Sequence, residues 1–141
     1  MRHALVLVLV LVLAACGRRE DDGEVHANVS LTQGLAMSDI QSLELTVAES
    51  TSSTGSTFSC SKLGSDWIIE RDDAQIHYHR LLTPGATKVT DIAKGASLVV
   101  VLDGYSTANG LGDRIAHGCL DGVTITGGQT KAISIVLSPL K

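Results

Sequence analysis

His77 and His79 stand one residue apart, and they are the first pair in this chain whose type and spacing could do chemistry. On a β-strand, residues two apart share a face, so both imidazoles could reach one zinc or copper ion. His117 or Asp72 would have to complete the ligand set. Two histidines without a fixed third ligand also describe an ordinary polar strand face. The segment from Asp103 to Asp113 carries Asp103, Asn109 and Asp113 among several glycines and suggests calcium. Counted from Asp103, however, the third and twelfth positions of a helix-flanked calcium loop would be Tyr105 and Arg114, which cannot serve. Turns that need positive φ account for the same residues.

Nucleophilic catalysis has little to draw on. There is no Gly-x-Ser-x-Gly elbow, and the one place left for a small hydrolase is the region 105–117, with Asp113 and His117. Gly110-Leu111-Gly112 lacks the third glycine of a dinucleotide loop, and no phosphate-binding lysine motif occurs, which excludes nucleotide binding. Phe58, Trp67, Tyr78 and Tyr105 are too few for a carbohydrate platform once the core has claimed Phe58 and Trp67. We therefore expect a protein that is not an enzyme and has no cofactor.

The elements that must position these residues begin with an address. Met1-Arg2-His3 supplies an early cation, Ala4 to Leu13 is an unbroken Ala/Leu/Val run, and Ala14-Ala15 are small residues preceding Cys16. The apolar run is too short to cross a bilayer, which takes about 20 residues. Leu13-Ala14-Ala15-Cys16 resembles the lipobox of bacterial lipoproteins. The resemblance implies cleavage after residue 15 and a diacylglycerol or acyl lipid on Cys16. It further implies a cell-envelope location, at the outer membrane if the cell is Gram-negative, because Gly17 follows the cysteine. A soluble secreted protein is the alternative.

Loss of residues 1–15 removes Arg2 and leaves ten Lys and Arg against fifteen Asp and Glu, a net charge of −5. Nucleic acid, which needs clustered cations, is a poor partner for such a chain. With Cys16 taken by lipid, Cys60 and Cys119 remain in a chain sent to an oxidising compartment. We expect them to form a disulfide, with free thiols as the alternative.

Residues 16–24 are polar and read as a tether, and residues 25–141 as one domain. Val25, Ala27, Val29 and Leu31 alternate with polar residues in a first strand, and Leu43, Leu45 and Val47 do so in a second. Phe58 to Ser61 and Trp67 to Ile69 read as further short strands, followed by 75–82 and 89–92. Leu98 to Leu102 is continuously apolar and suits a central strand covered on both faces. Strands over 114–120 and 123–126, with a turn at Asp121-Gly122, precede a last alternating strand around Ile133, Ile135 and Leu137.

The pattern predicts an all-β antiparallel sandwich of about seven to nine strands. The order over 92–137, a weak strand, Lys94-Gly95, a valine-rich strand ending Asp103-Gly104-Tyr105 and a closing hairpin, resembles prealbumin-like or Ig-like sandwich domains of bacterial surface proteins. The expected function is a membrane-anchored lipoprotein with a structural or protein-interaction role. A metal-binding module using His77 and His79 is the alternative.

Overall fold

A computed structural model describes residues 21–86 and 88–140. Cys16, the signal segment and residues 17–20 of the expected tether lie outside them. Among the described residues seven strands form the fold: β1 (Asp22–Leu31), β2 (Ser42–Glu49), β3 (Ile76–Leu82), β4 (Lys88–Ala93), β5 (Gly95–Tyr105), β6 (Arg114–Ile125) and β7 (Thr130–Pro139). A four-residue helix, α1 (Cys60–Leu63), lies between β2 and β3.

The strands share one sheet in the order β3-β2-β5-β6-β7-β1-β4, curved so that its edge strands β3 and β4 approach one another. The result is a nearly closed barrel, in keeping with the expected all-β sandwich class and its strand number. All pairings are antiparallel except one, since β1 runs parallel to β7 from Glu24↔Thr130 to Leu31↔Leu137. Alternation in a sequence reports which face a residue takes and is silent on strand direction, so the all-antiparallel expectation fails at this pair.

The barrel interior is filled from every strand, including Val25 and Ala27, Leu43, Leu45 and Val47, Tyr78, Ile92, Leu98, Val100 and Leu102, Val123, and Ile133, Ile135 and Leu137. The alternation read in β1, β2 and β7 therefore does place those residues inward. β5 is buried on both faces, as its unbroken apolar run demands. Leu98, Val100 and Leu102 point into the barrel, while Val99 and Val101 point outward to a second apolar cluster with Ala48, Phe58, Leu63 and Ile68. This second cluster lies beneath residues 50–75, a flap on the outside of β2 and β5.

The flap corrects two expected strands. Ser59 accepts a hydrogen bond from Lys62 N through its hydroxyl and starts α1, so Cys60 opens a helical turn instead of continuing a strand. Ile68–Glu70 is a 3-10 turn with Ile68 fully buried. A strand needs an edge to pair with, and this segment lies across a sheet face where no edge is offered.

β1 also begins earlier than the expected tether allows. Asp22 pairs with Ala93, and Glu24 N donates to Gln129 O. Gly23 sits so close to the end of β6 that a Cβ there would collide with Ile125 Cγ2. Glu24 is buried because Lys88 and the Thr130 hydroxyl neutralise and satisfy its carboxylate. The Asp121-Gly122 turn is a bulge within continuous β6: Asp121 and Gly122 of β6 together face the single residue Val99 of β5 between Val100↔Leu120 and Leu98↔Val123, with Gly122 at φ +70°.

Candidate functional site

The outer face of β2, β5 and β6 carries a row of polar side chains beside the apolar patch. Glu44 on β2 accepts hydrogen bonds from His79 Nε2 and from the Tyr105 hydroxyl. Asp103 on β5, almost fully buried, meets His117 Nδ1 at 2.7 Å and Arg114 Nη1 at 3.4 Å. Register brings these together, because β5–β6 pairing sets Asp103 opposite His117 and β2–β5 pairing sets Glu44 opposite Asp103. Burial, followed by the hydrogen bond to the Glu44 carboxylate and its charge, pushes the Tyr105 phenol well above the ordinary tyrosine range.

The flap closes over this row. The Arg114 guanidinium lies 4.5 Å from the Trp67 ring centroid and donates to Ser65 O, while Trp67 stacks on Tyr105 at 6.5 Å. His117 Nε2 and Trp67 Nε1 are buried and meet no hydrogen-bond partner among the described residues. An Asp–His pair is two of the three members of a nucleophile-activating triad, but here the distal nitrogen is buried away from solvent. Cys119, the nearest candidate nucleophile by sequence, is bonded to Cys60 with Cα atoms 5.6 Å apart. Asp113, expected beside His117 in the hydrolase reading, is exposed in the loop before β6, its N–H donating to the Ser106 hydroxyl.

The other candidate ligands go to separate partners. His77 takes Glu49 through Nε2 at 2.6 Å and Ala93 O through Nδ1 at 2.9 Å, bridging β3 to the end of β4 near the barrel seam. His79 takes Glu44, so the two imidazoles are engaged by different carboxylates. Among the described residues the single cluster of three potential metal ligands is Cys60, Cys119 and Asp121, without either histidine. In the expected calcium loop, Asn109 Oδ1 accepts from the Thr107 hydroxyl and Leu111 N, which makes it a turn-builder. Tyr78 is buried with Arg80 over its ring, and Phe58 fills the outer cluster.

The barrel rim presents a different surface. β2 starts opposite the end of β5, so residues 32–41 and the loop 106–113 share one end of the barrel, opposite the end where β1 begins. Loop 106–113 is braced by Ser106 N to Asp113 O, Gly112 N to the Thr107 hydroxyl, and the Ser42 hydroxyl to Thr107 O at 2.6 Å. On this frame Leu111 is 85% exposed, and Leu81 packs against Gly110 while remaining 44% exposed. Met37 adds a third exposed apolar side chain at the same end. The sequence carries no signal for this rim, because the exposure of Leu111 between two glycines is a tertiary property. Among the described residues no helix is long and apolar enough to cross a membrane. Compared with known proteins, the chain matches no family model and none of the curated proteins.

Proposed function

We propose that this chain is a bacterial envelope lipoprotein, held to a membrane through lipid on Cys16, that has no catalytic activity and engages a protein partner at the rim around Leu111. The observation that carries the reading is the placement of that leucine. An apolar side chain held in water by a braced loop buries little against the barrel, and apolar patches rimmed by polar groups mark association surfaces. The rim lies at the far end of the barrel from Asp22, so a tether leading back to Cys16 leaves it facing away from the membrane. Leu13-Ala14-Ala15-Cys16 supports the anchor. The prealbumin-like resemblance of residues 92–137 belongs to this proposal as a reading of β5 to β7 alone.

Intact mass of the protein extracted from native membranes tests the anchor. A chain beginning at Cys16 with acyl mass is expected, and a chain without it defeats the lipoprotein reading. A photo-crosslinking residue at position 111 tests the rim, with position 136 as control because Val136 is also exposed but lies on β7. A discrete protein adduct from 111 and not from 136 is expected; equal labelling from both removes the rim as a docking surface.

A further inference from the structure

The bulge in β6 has an effect beyond the strand. By adding a residue at Asp121-Gly122 it turns the Asp121 carboxylate toward α1, where Cys60 N donates to both of its oxygens at 2.9 and 3.1 Å. Cys60 Sγ, Cys119 Sγ and an Asp121 oxygen lie within 4.8 Å of one another. Three donors from the flap, a strand and a bulge thus converge at the edge of the outer apolar cluster, with Asp121 exposed and both cysteines half-buried.

We propose that reduction of the Cys60–Cys119 bond converts this staple into a binding site for one thiophilic divalent cation of the zinc class. The reductant is a dithiol. Its two electrons and two protons break the S–S bond and leave two thiols, while the dithiol closes to its own disulfide. The cation then displaces both thiol protons to solvent and binds two thiolates and the Asp121 carboxylate, with a fourth position open to water. Thiolates select zinc over the oxygen-seeking magnesium and calcium. Zinc–sulfur bonds of about 2.3 Å can be made by side-chain rotation from Cα atoms 5.6 Å apart. The ion would join the flap to β6 as the disulfide does, so the outer face stays covered in a reducing environment whenever metal is present. This inference does not depend on the lipoprotein reading.

The test titrates the reduced full chain with cobalt(II), reading the thiolate-to-cobalt charge-transfer band, and then displaces cobalt with zinc. One cobalt per reduced chain is expected and none in the oxidised protein. Asp121→Asn should weaken binding by about tenfold or more. His77→Ala/His79→Ala should leave it unchanged. Reduction could itself loosen the flap, so thermal melting is read in parallel: zinc should raise the Tm of the reduced protein and leave that of the oxidised protein in place. Absence of the band at stoichiometric metal, equal affinity in Asp121→Asn, loss of binding in the histidine variant, or no zinc effect on the reduced Tm would each overturn the proposal.

Discussion

The barrel interior and the flap-covered outer face bury side chains equally well and are built on opposite plans. Inside, every strand contributes inward-facing residues such as Leu45, Leu98 and Ile135, and hydrophobic burial alone is enough to specify the arrangement. Outside, Ala48, Phe58, Leu63, Ile68, Val99 and Val101 form a smaller patch under a segment with almost no regular structure. Such a segment loses backbone entropy on ordering without ladder hydrogen bonds to offset it. The outer face accordingly adds what the interior lacks: a disulfide, the Arg114–Trp67–Tyr105 stack, and a carboxylate reaching back to Cys60 N. Small apolar patches are kept covered by crosslinks and polar clasps, whereas a large interior needs neither.

Removing the crosslink should break this comparison most sharply. Cys60→Ser/Cys119→Ser opens a loop of 59 residues, worth about 4 kcal/mol in the chain-entropy account. Limited proteolysis should then nick 50–75 while amides of β1 and β7 keep their exchange protection. Equal loss of protection in both regions would show that flap and barrel are one cooperative unit.

Adjacent residues of β5 sharpen the contrast, since Leu98 and Val99 are both fully buried but on opposite faces. Leu98→Ala should cost about 3 kcal/mol in denaturant unfolding, because closed barrel walls cannot collapse into the cavity. Val99→Ala should cost about 1 kcal/mol, because the flap can settle. Equal costs, allowing for the size difference, would mean the flap is as rigid as the barrel.

The smallest effect is one of pH. Tyr105's phenol titrates higher in the folded than in the unfolded chain, so the folded state holds its proton more firmly. Its contribution to stability is complete below pH about 10 and is lost as pH rises beyond that toward the folded value. Urea midpoints should fall above pH 10, and Tyr105→Phe should flatten that fall. An unchanged alkaline slope in the variant would place the titrating group elsewhere.

Much of the interior is legible in the amino-acid sequence. Period-two alternation in 25–31, 43–47 and 133–137 and the apolar run 98–102 each have one solution in a sheet with one or two covered faces. The cysteine pairing was legible too, once an oxidising destination was inferred. Phe58 to Ile69 was not, since its apolar residues alternate over too few positions to separate a strand from a turn anchored at Phe58, Leu63 and Ile68. His117 and Asp103 carry no local signal of each other, fourteen residues apart and joined by β5–β6 register alone.

Local chemistry in the sequence by itself determined which residues face inward and where glycine permits a turn. Only the tertiary structure decided that β1 runs parallel to β7, that the sheet curls into one barrel, that Asp121 is thrown toward Cys60, and that Leu111 stands in solvent. The physical reason is range. Side-chain alternation and turn preference act over a few residues, whereas strand direction, register and exposure arise when segments distant in the chain compete for the same partners.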